Sequence, residues 1–239
     1  MTSHTTATAK RGRRGLIAAL AVLAAAFLAL GVWQVERRTE KLALIAAVDR
    51  RIDAAPGPAP GPALWPRIDR EHDLYRRVTV RGVFEHQNET PVQAVTDLGA
   101  GYWIVTPLRT DAGWRVLINR GFVPQALRER ATRRQGESQN AVTVNGLLRI
   151  TEPGGAFLRR NNPARGRWYS RDVAAIGNAK HLPDLAPYFI DAAAAPAAPG
   201  QPIGGLTVVS FYNHHLEYAL TWFALALMAL GGIAVVRRD

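Results

Sequence analysis

Two long apolar segments near the ends of the chain dominate its pattern of hydrophobic and polar positions. Residues 16–35 carry no charged side chain, and neither do residues 218–236. A helix rises about 1.5 Å per residue, so segments of this length reach across the roughly 30 Å of hydrocarbon in a bilayer. The pattern therefore predicts two transmembrane helices, residues 16–35 and residues 218–236.

The first apolar segment has an alternative interpretation as a cleaved signal peptide. Basic residues at 10–14 would form its charged start, and three alanines at 24–26 offer small residues for cleavage. However, the apolar run is longer than the usual core of a signal peptide, and no turn-prone segment precedes a cleavage site. The sequence therefore favours a retained membrane span.

Basic residues flank both segments on the sides that face the chain ends. A basic cluster at 10–14 precedes the first segment, and a basic pair at 237–238 follows the second. Because positive charge is enriched on the cytoplasmic side of membrane proteins, residues 1–15 and 237–239 are predicted to be cytoplasmic tails. Residues 36–217 then form an extracytoplasmic (periplasmic) domain of a protein that crosses the cell (inner) membrane twice.

The predicted domain begins with a helical segment and a proline-rich segment. Apolar residues recur at helical spacing within residues 36–53, so the first helix is predicted to continue out of the membrane. Residues 54–66 contain five prolines and no charge. A segment so rich in proline is predicted to be a linker that forms neither a helix nor an inner strand.

Alternating apolar and polar positions after residue 66 predict a series of short strands. Turn-forming residues separate them, for example at 111–113. The predicted strands are residues 75–84, 91–95, 102–108, 115–122, 142–150, 188–191 and 206–210, and residues 172–179 are predicted to form a short helix. Short strands with turns between them favour an α+β fold whose β-rich domain is an antiparallel sheet or a partly open barrel.

The composition narrows the chemistry that the chain can support. Its 239 residues include 30 Lys and Arg, 19 Asp and Glu, and no Cys. Without cysteine there is no disulfide, no thiolate nucleophile and no thiolate ligand for zinc or an iron–sulfur cluster. The chain has no nucleotide-binding, zinc-protease or nucleophile motif, and its scattered carboxylates nominate no acid–base pair. The sequence therefore gives no argument for an enzyme.

The formal net charge of +11 bears on the partners of the protein. Part of this charge lies in the two predicted tails, where it reflects membrane topology. The remaining excess suits the anionic surface of a lipid bilayer or an acidic partner. Nucleic acid is not an expected partner, because the chain has no aromatic-basic motif and no recognition helix.

A histidine and two aromatic residues lie where the second apolar segment begins. Residues seven apart on a helix differ by only about 20° in direction, so His215, Tyr218 and Trp222 are predicted to share one stripe. Trp33 and Arg37 lie at the matching depth of the first segment. These five residues are candidates for binding a ligand at the membrane edge. The alternative is an ordinary interfacial belt of aromatic and basic side chains.

Several short segments, in this order along the chain, are similar to those of a known family. They are GVWQVERR at 31–38, RVTVRGVF at 77–84, GYWIVTP at 101–107, NRGFVP at 119–124, NNP at 161–163, WY at 168–169, YFID at 188–191, PIGG at 202–205, NHHLEY at 213–218 and TW at 221–222. From about residue 30 to near its C-terminus, the chain resembles the surfeit locus protein family, the assembly factors for haem–copper cytochrome c oxidase. So many matches in order make the resemblance specific.

The resemblance implies an integral membrane assembly factor, not an enzyme, that helps to mature the catalytic subunit of cytochrome c oxidase. It also implies transient, non-covalent binding of haem a, with the haem a synthesis machinery as a second partner. The family histidine linked to haem matches His215, which is therefore the expected ligand of the haem iron, with His214 as its neighbouring alternative.

The remaining candidate residues acquire roles from the same resemblance. Trp33, Tyr218 and Trp222 would surround the macrocycle, and Arg37 or Arg38 would meet the propionates. The alternative function is a structural adaptor, or chaperone, that stabilises a nascent oxidase subunit without binding haem.

Overall fold

The chain folds into two compact units. The computed structural model describes residues 3–156, 158–196, 200–209, 211 and 213–238. One unit, here called the helical unit, comprises Met1–Ala47 and Ser210–Asp239. The other, Val48–Val209, is here called the β domain. The two apolar segments therefore belong to one unit and the predicted strands to the other.

Long helices form the helical unit, and short ones decorate the β domain. The α-helices of the described residues are α1 (Ser3–Asp53), α2 (Arg70–Asp73), α3 (Val173–Ala179) and α4 (His215–Arg238). Both α1 and α4 are long and apolar enough to cross a membrane. The 24 residues of α4 extend over about 36 Å. Asp172 begins α3 by accepting a hydrogen bond from the backbone amide of Ala175.

Helices α1 and α4 run antiparallel and pack through small residues. Ala219 and Ala226 of α4 are buried, as is Ala24 of α1. Gly31 of α1 lies against the ring of Phe223 in α4. The ring occupies the space that a Cβ at position 31 would need. Small residues let two helix backbones approach closely, which favours pairing of helices within lipid. We call this packed face the helix seam; it is formed by residues 24, 27, 31 and 34 of α1 and residues 215, 219, 222, 226 and 229 of α4.

The β domain is built on a closed barrel of five strands. The strands are β1 (Gly57–Pro58), β2 (Arg77–Phe84), β3 (Thr90–Thr96), β4 (Gly99–Thr110), β5 (Arg115–Pro124), β6 (Val142–Ile150), β7 (Gly155–Ala156), β8 (Arg159–Arg160) and β9 (Leu185–Ala192). In the barrel the order is β2, β6, β9, β5, β4, and pairing of β4 with β2 closes it. The β5–β9 pairing is parallel, and the other four are antiparallel. Strands β1 and β3 extend the sheet, and β7 pairs with β8.

Apolar side chains from all five barrel strands fill the barrel interior. They include Val78, Leu108, Val116, Ile118, Leu148, Tyr188 and Ile190. Successive side chains of a strand point to opposite faces, so Leu117, next to Ile118, points outward. There it packs with Phe189, with Ile176 of α3 and with Trp168. The barrel thus has one core inside and a second core between its wall and α3.

The structure confirms the predicted fold class, because two apolar helices flank a β-rich, mostly antiparallel domain. Of the predicted alternatives, an antiparallel sheet or a partly open barrel, the barrel is the nearer, and it is closed. Residues 206–210, predicted as a strand, form no strand over 206–209, and Ser210 lies outside the described residues. Both edges of β9 are already paired with β5 and β6, so the closed barrel offers this segment no edge.

The proline-rich segment that follows α1 is more ordered than a free linker. It contains β1, at a sheet edge where the missing N–H of proline is tolerated, and a 3₁₀-helix over Pro62–Arg67. Two side chains donate hydrogen bonds to the carbonyl of Pro60: the indole of Trp65 at 3.0 Å and the hydroxyl of Tyr188 at 2.7 Å. The segment is therefore fastened to the barrel.

Candidate functional site

A hydrogen bond joins α1 and α4 at the position of the candidate histidine. Oε1 of Gln34 and Nδ1 of His215 lie 2.7 Å apart on the helix seam. Gln34 is only 9% exposed, and His215 is partly buried. An amide oxygen can only accept, so Nδ1 carries the proton and donates it. The lone pair is then on Nε2 of His215, which makes no hydrogen bond to the part of the chain that the structure describes.

An aromatic pair lies two helical turns away from this hydrogen bond. The rings of Phe27 and Trp222 are stacked, with 5.7 Å between their centroids and 26° between their planes. Offset stacking of this kind is a favoured geometry for aromatic side chains. Since residues seven apart lie on the same face of a helix, the helix seam presents a polar pair followed by an aromatic pair.

The other three candidate residues lie outside the helix seam. Tyr218 is 57% exposed and Trp33 is 49% exposed. Arg37 is exposed as well, and its guanidinium lies 2.8 Å from a carboxylate oxygen one turn later in α1. The structure therefore places His215 and Trp222 on the face of α4 that packs against α1. Tyr218, predicted to share that face, lies to one side of it and is exposed.

The two neighbouring histidines have different surroundings. Nδ1 of His214 lies 2.8 Å from Oε2 of Glu217, and both side chains are exposed. His215 faces α1 instead, where it meets Gln34. Of the two, His215 is the one that belongs to the helix seam.

Sequence reasoning missed Gln34 and Phe27 as members of this site. A signal for both was present, because residues 20, 24, 27, 31 and 34 repeat at the alternating spacing of three and four that marks a helix pair. Gln34 is also an uncharged polar residue inside a predicted membrane span, where polar side chains mark interhelical contacts or functional sites.

In the β domain, a buried carboxylate at the end of β9 ties three barrel strands together. Asp191 is 3% exposed and accepts hydrogen bonds from three basic or amide side chains. They are Asn119 of β5 (2.7 Å), Arg149 of β6 (2.5 Å) and Arg171 (3.0 Å). Burial alone would lower the pKa of Arg171, but Asp191 and Glu152 raise it above its ordinary value. A buried charge paired in this way holds its neighbours in place.

Two of the segments that carry the family resemblance contribute to this network. Asn119 belongs to residues 119–124 and Asp191 to residues 188–191. The structure places their polar side chains against each other on the outer face of the barrel wall. Their geometry indicates that they support the barrel.

Gly121 lies beside the same network and is required by the backbone. Its φ is +129°, a conformation that residues with a Cβ rarely adopt. The carbonyl of Ile203 occupies the space that a Cβ would need. The amide of Gly121 donates to Oδ1 of Asn119 at 3.2 Å, which fixes the backbone of β5 at this point. Any residue with a Cβ at position 121 would therefore meet both an unfavourable φ and a collision with Ile203.

These features define a class of protein that has a closed five-stranded barrel domain and an antiparallel pair of apolar helices. A histidine lies where the two helices pack against each other. A family model described as the SURF1 family matches residues 21–227. The chain is similar to Surfeit locus protein 1 of Homo sapiens, at 37% identity over 214 residues, covering 82% of this chain and 69% of the relative. A SURF1-like protein of Monosiga brevicollis is 33% identical over 250 residues, covering 99% of this chain and 93% of the relative.

The chain belongs to the SURF1 family. The resemblance predicted from the short segments is therefore confirmed. Family membership supports an assembly role in the respiratory chain. The assembly factors of this family are not known as enzymes.

Proposed function

We propose that this protein is an assembly factor for haem–copper cytochrome c oxidase that binds haem a without a covalent bond and hands it to the catalytic subunit. Family membership supports the assembly role. The observation that carries the haem proposal is the hydrogen bond between Gln34 and His215. This bond engages Nδ1 of the partly buried His215 and leaves Nε2 as the ring nitrogen available to a ligand.

The donor chemistry of His215 fits haem iron. Iron in haem proteins takes a neutral imidazole as an axial ligand, and a hydrogen bond from the other ring N–H orients the ring and makes it more basic. Gln34 supplies that acceptor, which leaves Nε2 for the metal. Haem, when bound, would supply two anionic propionates and an iron that takes a nitrogen ligand. The residues of the helix seam orient the imidazole, and the absence of cysteine is consistent with non-covalent retention.

Aromatic and basic side chains near His215 suit an amphipathic ligand. Trp222 lies on the same face of α4 and would contact the macrocycle, while Trp33 and Tyr218 would enclose it from the exposed side. Arg38 is one turn from Gln34 on the inner side of α1, whereas Arg37 is already engaged by a carboxylate. The propionates would therefore meet Arg38 more readily than Arg37.

The antiparallel helices also support the proposed topology. Both chain ends carry basic residues, which supports a cytoplasmic location for them and a periplasmic location for the β domain. Haem a from its synthesis machinery would then reach His215 at the periplasmic edge of the membrane. Reporter fusions at the C-terminus and near Pro60 test this, with cytoplasmic and periplasmic signals expected respectively; a periplasmic C-terminus would contradict the two-span topology.

The deciding experiment is the absorption spectrum of the full-length protein purified from cells that make haem a. A Soret band that persists through size-exclusion chromatography is the expected result. A correctly inserted protein with no Soret band would contradict haem binding and favour the structural adaptor, which stabilises a nascent oxidase subunit without cofactor. Purification from cells that lack haem a synthesis provides the matched control.

A further inference from the structure

A cleft of about 670 Å³ opens on the β domain, between β2, β6 and the chain that leaves β9. Its volume is within the range of pockets that hold small molecules. Its walls are about half apolar, with Phe84, Val142 and Val144 among the apolar side chains that line them. The polar part includes the guanidinium groups of Arg77 and Arg120, and no Asp or Glu is among the lining residues. Both the shape and the charge of this cleft favour an anionic ligand with an apolar body.

Arg120 has no carboxylate partner among the described residues. Its Nη1 donates to Nδ1 of His86 at 3.4 Å, and its Nη2 donates to Oε1 of Gln201 at 3.2 Å. Its guanidinium also lies over the ring of Phe84, 5.2 Å from the centroid. These contacts position the guanidinium, but all three partners are uncharged while His86 is neutral. Burial lowers the pKa of Arg120, as expected for a charge removed from water.

The carboxylates nearest to Arg120 are committed to other arginines. Glu89 forms a buried, two-point salt bridge with Arg133, with a shortest distance of 2.6 Å. Glu137 forms a second two-point salt bridge with Arg130, with both distances 2.7 Å. Each carboxylate is committed to its own arginine, so Arg120 has no carboxylate in direct contact within the described part of the chain, and its charge is only partly compensated from a distance. A partly buried charge of this kind is costly to hold, and a bound anion would offset that cost.

His86 contacts Arg120 through one ring nitrogen and the backbone through the other. It is almost fully buried, and its Nε2 lies 3.1 Å from the carbonyl of Ser138, to which it donates. Its Nδ1 is therefore an acceptor for Arg120. The imidazole thus orients the guanidinium toward the cleft and contributes no charge of its own.

We propose that this cleft binds a small amphipathic monocarboxylate. Its carboxylate forms a two-point contact with Arg120, with Arg77 at the rim, and its apolar chain lies against Phe84, Val142 and Val144. The two parallel N–H groups of a guanidinium match the two oxygens of a carboxylate. The inference does not depend on haem binding at the helix seam, because all residues of the cleft belong to the β domain.

The first test compares two ligands of equal chain length on the purified full-length protein. Octanoate is expected to raise the thermal unfolding midpoint with saturation, whereas 1-octanol, which has the same chain without the charge, is expected not to. Equal effects of the two would show unspecific partition into the protein or its detergent and overturn the proposal. An equal effect of inorganic phosphate would show a general anion effect and would also overturn it.

The second test uses variants and a positional readout. Arg120→Gln is expected to weaken octanoate binding at least about tenfold, which corresponds to roughly 1.4 kcal/mol, and Arg77→Gln is expected to weaken it less. Arg160→Gln removes an exposed arginine outside the cleft and is the matched control. If Arg120→Gln fails to fold, a photoreactive diazirine derivative of octanoate on the wild-type protein gives the answer. Labelling within residues 142–145 or 192–196 is expected, and labelling confined to other sites would refute the cleft.

Discussion

Gln34 and His215 lie 181 residues apart in the sequence and are joined by a 2.7 Å hydrogen bond between α1 and α4. A buried polar group that loses its partner costs about 1–3 kcal/mol, so this bond helps to hold the helices in register. The same bond determines which nitrogen of the imidazole carries the proton. One contact therefore contributes both to helix pairing and to ligand presentation, and substitutions of the two residues separate these roles.

His215→Ala is expected to abolish co-purification of haem a while leaving the protein inserted, because the helix seam retains its small residues and the stack of Phe27 on Trp222. His214→Ala is the matched control and should retain most of the haem, since His214 points to the exposed side and pairs with Glu217. The measurements are the Soret absorbance per protein and the amount of protein in the membrane. Haem that survives His215→Ala but is lost in His214→Ala would assign the ligand to His214.

Gln34→Ala is expected to lower haem affinity by roughly 10–100-fold, the usual effect of removing the hydrogen-bond partner of a histidine ligand. Gln34→Glu keeps an acceptor oxygen opposite Nδ1 and is expected to retain more of the affinity. Titration of haem into purified apoprotein, followed by absorbance, measures both. Equal losses in the two variants would indicate that the contact serves helix packing alone.

Gly121→Val is expected to lower the amount of protein in the membrane, because it combines an unfavourable φ with a collision with the carbonyl of Ile203. Each of these effects costs about 1–3 kcal/mol. Gly99→Val separates them: Gly99 also has a positive φ, +97°, but no atom lies within 4 Å of its Cβ position. Immunoblots of membranes and oxidase activity per molecule provide the readout. Normal abundance of Gly121→Val with lost oxidase activity would instead identify this part of β5 as a docking surface.

The sequence was sufficient to predict most strands of the β domain, because alternation of apolar and polar residues is a local signal. Residues 142–150, for example, are predicted and observed as one strand. Closure of the barrel depends on contacts distant in sequence, such as the parallel pairing of Ile118 with Ile190. No local pattern encodes that pairing. The same limit explains residues 206–209, whose alternation is typical of a strand although both edges of the preceding strand, β9, are already paired.

The candidate site was predictable in part for a similar reason. His215 and Trp222 are seven residues apart on one helix, so their common face follows from helical geometry alone. Their partners Gln34 and Phe27 come from the opposite end of the chain. Tyr218 satisfies the same spacing argument loosely, yet the position of α1 leaves it exposed. The face of a helix that becomes buried depends on the helix that packs against it, so the sequence of α4 alone does not determine it.

Tyr188→Phe is expected to destabilise the β domain by about 1 kcal/mol, the typical net contribution of one hydrogen bond. The hydroxyl of Tyr188 is buried and donates to the carbonyl of Pro60, which fastens the proline-rich segment to the barrel. Tyr169→Phe is the control, because the hydroxyl of Tyr169 makes no hydrogen bond to the described residues. Thermal unfolding of both variants measures the difference. An unchanged midpoint for Tyr188→Phe would show that the pairing of β1 with β2 is enough to hold the segment.

The stability of the β domain is expected to fall as the pH is lowered through the range in which His86 titrates. Burial, and then the nearby charge of Arg120, lower the pKa of His86 below its ordinary value of 6.5. The carbonyl of Ser138 and the carboxylate of Glu137 oppose this shift, and Arg130 adds to it. The unfolded chain therefore binds a proton at a higher pH than the native protein does.

The sign of the effect follows from linkage. Above about pH 6.5 His86 is neutral in both states and contributes no pH dependence. Between 6.5 and the lower native pKa the unfolded state binds more protons, so acidification removes up to about 1.4 kcal/mol per pH unit. His86→Gln keeps polar contacts without a titrating group and is expected to flatten this part of the profile. The measurement compares the unfolding midpoints of the wild-type protein and His86→Gln between pH 7.5 and 5. The pKa of the exposed His72 is raised, so its effect on stability has the opposite sign; both proteins contain His72, and its contribution cancels in the comparison. Parallel profiles would contradict a neutral, buried His86.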